Sequence, residues 1–243
     1  MVSPRVADTV IGEESDDVMR IAISGVNRGI GEGIARTAIE RGGLVVGIGR
    51  KRPSWADEGH PSLSFIECDM ANPAQIAEAC LSIAVPIDVL ICNAATFATG
   101  AGTIESFHPQ AMSEAFAVNT TAPLLLARGL KRQLENGTRR LIIMMSTGNA
   151  SLEGNTTGSL LGYRLSKTAL NQAVRNLAAE WGHLGFRVVA LNPGWVKTDM
   201  GGPDAEITVA EASTRILNFI DHVSETTPLN GAFVNTDGSA LPW

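Results

Sequence analysis

A short apolar strand that runs into a glycine turn and out along an amphipathic helix, repeated down the chain, leaves few folds open. Ile21-Ala22-Ile23-Ser24 is apolar until Gly25, the pattern of a buried strand ending in a turn. Beyond Gly31 the apolar positions change period, and Ile30, Ile34, Ala35, Ala38 and Ile39 fall on one helical face that ends at Gly42-Gly43. Leu44 to Gly49 is a second buried run, so the chain opens strand, turn, helix, strand. Right-handed crossover makes such strands parallel neighbours. The spacing predicts further strands at Leu63–Cys68, Val89–Cys92, Leu141–Met145, Arg187–Leu191 and Ala232–Val234. Helices are predicted between them at Pro73–Ala84, Pro109–Leu134, from the Tyr163 region to Trp181, and over Val209–His222. Unbroken alternation with no linker or repeat gives one α/β domain of the Rossmann type, a doubly wound parallel sheet of about seven strands with helices on both faces.

The 243 residues suffice for a sizeable core in one such domain, taken as residues 20–243. Residues 1–19, with the acidic run Glu13-Glu14-Ser15-Asp16-Asp17, are expected to form a solvated, mobile tail without the order of a signal peptide. A formal charge of -6 excludes a general nucleic-acid surface, which needs a basic stripe. No apolar run reaches membrane-spanning length, so no membrane partner is expected. Cys68, Cys80 and Cys92 are odd in number and never in Cys-x-x-Cys spacing, which reads as reduced core thiols in a cytoplasmic protein.

In a doubly wound sheet, ligands bind beyond the carboxyl ends of the strands. After the first strand come Gly25, Asn27, Arg28, Gly29, Ile30 and Gly31. Their spacing is not the G-x-G-x-x-G fingerprint, yet the physical need is the same: glycines let backbone approach a pyrophosphate at a helix N-terminus. The second strand ends in Arg50-Lys51-Arg52 and carries no carboxylate for a ribose 2'-hydroxyl. With Arg28 as a second cation, Arg50 and Lys51 favour a 2'-phosphate, hence NADP(H) over NAD(H). Asp69, with Met70 beside it, is placed to accept from an adenine amino group. Asn93-Ala94-Ala95 supplies small residues where backbone must lie close to a ligand. Asn119 sits inside a predicted helix, an unfavourable place unless its side chain has a task there. Ser146 and Thr147 follow the fifth strand, and Pro193-Gly194 makes a rigid turn after the sixth.

The chain's only tyrosine, Tyr163, has Lys167 one helical turn further on, so both side chains share a face. A nearby ammonium favours phenolate, which would bring the phenol into use as a proton donor or acceptor near neutral pH.

Together these pieces resemble the short-chain dehydrogenase/reductase family from about Arg20 to Trp243. The phrases Pro193-Gly194-Trp195-Val196-Lys197-Thr198-Asp199-Met200 and Gly231 to Gly238 resemble its sniffer and C-factor-like carbonyl reductases. The resemblance implies that Tyr163 exchanges a proton with a carbonyl or alcohol oxygen and that Lys167 lowers its pKa and binds the nicotinamide ribose. It implies that Asn119 holds a relay water, that Thr198 and the Val196 backbone bind the carboxamide, and that residues 195–207 form a substrate lid. It also implies a homodimer or homotetramer. Ser24 and Ala95 replace the family's usual Thr and Gly. Register places Thr147 at the catalytic serine position and residue type favours Ser146, so the two remain alternatives.

The expected reaction is NADPH-dependent reduction of a small ketone or aldehyde, or the reverse oxidation of an alcohol. A dinucleotide-binding sensor without turnover is the rival class, and the joint presence of Tyr163, Lys167 and Asn119 counts against it. Hydrolase chemistry lacks a Gly-x-Ser-x-Gly elbow, and the four histidines show no zinc spacing. The loop Thr96 to Ala101, with Trp195 and Met200, suggests a mostly apolar substrate pocket.

Overall fold

The computed structural model of the chain describes residues 18–58, 60–97, 102–223 and 229–243. Seven parallel strands form one sheet in the order β3-β2-β1-β4-β5-β6-β7. They are β1 (Arg20–Ser24), β2 (Leu44–Gly49), β3 (Leu63–Glu67), β4 (Val89–Cys92), β5 (Leu141–Met145), β6 (Arg187–Asn192) and β7 (Phe233–Asn235). The helices are α1 (Gly29–Glu40), α2 (Pro73–Ser82), α3 (Pro109–Phe116), α4 (Ala122–Gly129), α5 (Lys131–Glu135), α6 (Leu161–Trp181) and α7 (Val209–His222). The expected doubly wound sheet is therefore present. Among the described residues, no helix is long and apolar enough to cross a membrane.

Strand alternation divides the core in two. Ala22, Leu90, Ile142 and Val188 face the layer of α2, α4 and α6, with Ile76, Leu126 and Leu170 opposite them. Ile21, Ile23, Ile91 and Val189 face α1 and α7, meeting Ile34 and Ile216. Two buried faces explain why the strands read as continuous apolar runs. α7 begins on a full capping box, Thr208 with Glu211, which fixes its first residue where the sequence put it. Of the predicted tail, residues 1–17 lie outside the described residues. Met19 belongs to the fold, since its carbonyl accepts from the Leu44 N–H at 2.9 Å.

The predicted single helix from Pro109 to Leu134 is broken. Between α3 and α4 the chain widens into a π turn over Ala117–Thr121, and α5 follows only after Leu130. Pro123 explains the first break, because its ring would clash with the carbonyl four residues back, that of Asn119, and it offers that carbonyl no N–H. One turn of wider helix relieves the clash and carries Asn119 inward, where it is fully buried.

At the other end of the sheet, residues 238–243 run back antiparallel along β7. Asn235 N–H donates to Ser239, Leu241 N–H donates to Phe233, and Trp243 packs on the Phe233 ring at 5.5 Å.

Candidate active site

The order reversal lies between β1 and β4, where crossovers leave to opposite sides and open a crevice at the carboxyl edge. The glycine turn fills its floor. Gly25 adopts φ +80 and would press any Cβ to 3.0 Å from Ala94 Cα. A Cβ on Gly31 would lie 2.1 Å from the Gly25 carbonyl oxygen and 2.5 Å from Asn93 Nδ2. Asn93 stitches the seam: its Nδ2 donates to the Ser24 and Gly25 carbonyls at 3.1 Å, while its N–H and that of Ala94 donate to Ser24 Oγ. Asn93 and Ala94 thus shape the turn from behind. Arg28, at the N-cap of α1, makes no side-chain cap, so the first-turn N–H groups of Gly29, Ile30 and Gly31 lack a capping side chain. An uncapped helix N-terminus over a cradle that Cβ atoms would fill suits an anionic diphosphate.

The cations divide. Arg50 and Lys51 are exposed beyond β2, and among the described residues no ion pair engages them. Arg28 instead pairs with Asp199 of the 195–207 segment, so it does not stand free as a second phosphate cation. Asp69 is half-buried and accepts from the Ala71 N–H at 3.0 Å, while the Met70 side chain enters the core and leaves only its backbone at the edge.

Above β5 and α6 the polar side chains converge. Ser146 Oγ donates to Asn171 Oδ1 at 2.6 Å in a buried pair, turned away from the phenol. Thr147, the next residue, presents its side chain to Tyr163. Parity along the extended chain puts consecutive side chains on opposite sides. Burial pushes the Tyr163 phenol up to about 12, while the Thr147 hydrogen bond pulls it down. The sequence predicts the opposite direction, a phenol lowered by Lys167. Burial is the larger cause, and Lys167 is turned to another partner: itself buried, it donates from Nζ to the Met145 carbonyl at 2.7 Å and is lowered by desolvation to about 8.

Asn119 ties three elements together. It accepts from the Thr96 N–H at 2.8 Å, and its Nδ2 donates to the Thr96 carbonyl and to Ser166 Oγ, both at 2.9 Å. Its side chain is therefore engaged in positioning. Phe97, following the clamped Thr96, stacks on Tyr163 with ring centroids 4.9 Å apart and planes 4° from parallel. The sequence offered one signal for it, an aromatic just after the small Asn93-Ala94-Ala95 run. Residues 98–101 of the expected apolar loop lie outside the described residues.

The 195–207 segment is a self-bonded loop. Trp195 Nε1 donates to the Gly201 carbonyl at 2.7 Å, the Gly201 N–H donates to Thr198 Oγ1, and Val196 is buried and bridged to Ile207. Pro193 and Gly194, at φ +88, turn the chain from β6 into this loop. They also border an open groove of about 410 Å³ beside α7, with Arg215, Asn218 and Asp237. That groove does not include Tyr163.

Comparison with known proteins adds an independent finding. Residues 25–228 match the family profile described as enoyl-(acyl carrier protein) reductase. The C-signal of Myxococcus xanthus is 34% identical over 158 residues, covering 65% of this chain and 93% of that protein. Among solved structures, the NADPH-bound carbonyl reductase from chicken fatty liver aligns with TM-score 0.83 and 30% identity over 93% of this chain and 99% of that one. The carbonyl reductase Sniffer of D. melanogaster aligns with TM-score 0.84 and 29% identity over 93% of this chain and all of that one, 100%.

Proposed function

The chain belongs to the short-chain dehydrogenase/reductase family of oxidoreductases, and from that premise we propose that it is an NADPH-dependent carbonyl reductase acting on small ketones or aldehydes, or on the corresponding alcohols in reverse. The observation that carries the reading is the buried Tyr163 phenol, protonated at neutral pH, with the Thr147 side chain facing it and Lys167 one turn along α6. Bound NADPH would supply the hydride. Tyr163 donates the proton to the substrate oxygen, and Thr147, not Ser146, provides the second hydrogen bond to it. Lys167 supplies the positive charge that the tyrosinate left behind requires. Gly25, Asn27, Gly29, Ile30 and Gly31 cradle the diphosphate, Arg50 and Lys51 read the 2'-phosphate, and Asp69 with the Met70 backbone borders the adenine. Pro193, Gly194, Val196 and Thr198 hold the nicotinamide end, and residues 195–207 cover the substrate.

Support for NADPH comes from the open Arg50 and Lys51 and from the NADPH-bound structure that the chain resembles. Three free, buried cysteines agree with a reducing cytoplasm. The homodimer or homotetramer implied by the resemblance belongs to the same proposal. A sensor without turnover has no specific observation in its favour.

Incubating the protein with NADPH and a panel of ketones and aldehydes, with nicotinamide absorbance followed in time, tests the reading; absence of consumption across the panel would defeat it. The pH profile carries a finer expectation. kcat/KM for NADPH reports groups of the free protein, and Lys167 loses its charge above about pH 8 while Tyr163 keeps its proton up to about 12. Reduction is therefore flat below about pH 8 and declines above it, and Lys167→Arg removes that decline. A profile bending only below neutrality would place the controlling group elsewhere. Arg50→Ser should raise KM for NADPH about tenfold, the loss of one charge-assisted contact, and leave KM for NADH unmoved. An unchanged NADPH to NADH ratio would remove Arg50 from the 2'-phosphate site.

A further inference from the structure

We propose that Phe97 is a positioning residue for Tyr163: its ring, rooted by the Asn119 clamp on Thr96, stacks on the phenol and holds the hydroxyl toward Thr147. The root is fixed at two points, since both the N–H and the carbonyl of Thr96 bond to the Asn119 side chain. The same amide reaches Ser166 Oγ, which in turn donates to the Tyr163 carbonyl at 2.9 Å. One buried amide thereby fixes both members of the ring pair, one through β4's outgoing loop and one through α6. Near-parallel planes at 4.9 Å are an attractive offset stack, and they cover one face of a phenol that would otherwise pivot about its two side-chain torsions.

The stack also keeps water from the phenol, in agreement with the direction of its shift. No charge does this instead. From the elements packed on α6, the titratable side chains are Glu114 on α3, which is exposed, Arg187 on β6 and His183 beyond the helix end. On α6 itself, Lys167 bonds to Met145, Arg164 bonds to the Ser159 and Asn149 carbonyls, Arg175 bonds to the Gly231 carbonyl, and Glu180 is exposed near the helix end. Burial and Thr147 alone set the Tyr163 balance.

The chain has a single tyrosine, so tyrosinate absorbance reads this one phenol. Rapid pH jumps, with absorbance recorded before alkaline unfolding, give its midpoint in wild type, Phe97→Ala and Phe97→Trp. Phe97→Ala should lower the midpoint by about one pH unit, toward the free value near 10, and Phe97→Trp should restore it. The kinetic arm rests on the reductase reading: kcat in Phe97→Ala falls about tenfold while the NADPH dissociation constant stays within about twofold. If Phe97→Ala does not fold, Phe97→Leu keeps apolar bulk without the stack and takes its place. An unmoved midpoint in the folded variant overturns the proposal. A moved midpoint in a protein that reduces no carbonyl defeats the reductase reading and leaves the hold of Phe97 on the phenol standing.

Discussion

Tyr163→Phe abolishes carbonyl reduction, lowering kcat about a thousandfold or more, while the NADPH dissociation constant moves by less than about threefold. A positioned proton donor contributes roughly 100- to 10,000-fold, and here the hydroxyl is the only part of the side chain removed. Phenylalanine keeps the ring, its stack on Phe97 and its place on α6, so the cradle at Gly25 to Gly31 is untouched. Stopped-flow consumption of NADPH measures the first quantity and fluorescence titration the second. Activity within about tenfold of wild type would mean that another group delivers the proton. Thr147 is the nearest candidate, so the double variant with Thr147→Val should then be made.

Gly31→Ala should lower Tm by about 6–10 °C, equivalent to about 3 kcal/mol for a domain of this size, and weaken NADPH at least about tenfold. The cause is the close approach and not the backbone angle. Its Cβ would lie 2.1 Å from the Gly25 oxygen and 2.5 Å from Asn93 Nδ2, and neither neighbour is a flexible side-chain end free to yield. Asn93 is tied to two carbonyls of the turn, so relief at Gly31 must open the β1–β4 seam itself. Gly42→Ala is the matched control: at φ +85 it is strained but has nothing within 4 Å, and it should cost only about 1 kcal/mol. Equal melting of the two variants would contradict the crowding argument.

The seven-strand alternation was legible because strands buried on both faces announce themselves as apolar runs, and α7 spans the expected Val209–His222, its start closed in the structure by the Thr208 and Glu211 capping box. The break at Ala117–Thr121 was visible only in Pro123, which the apolar periodicity overrode. Choosing between Ser146 and Thr147 required knowing which side of the sheet each faces, a question of parity that two adjacent hydroxyl residues leave open. The Tyr163 titration was misjudged for a related reason. Spacing reveals that a lysine is one turn away, whereas depth, which reverses the sign, arises from packing by residues distant in sequence. Phe97 in a loop read as generic lining until Asn119, 22 residues further along, fixed its direction.

The return of residues 238–243 along β7 bears on how the protein behaves when crowded. An outer strand normally offers a row of unpaired amides that can template a neighbouring chain. Here Phe233 and Asn235 already bond to Leu241 and Ser239, so fibril-like growth from that margin requires residues 238–243 to peel away first. Proteolytic trimming of those residues would thus convert a shielded rim into an adhesive one.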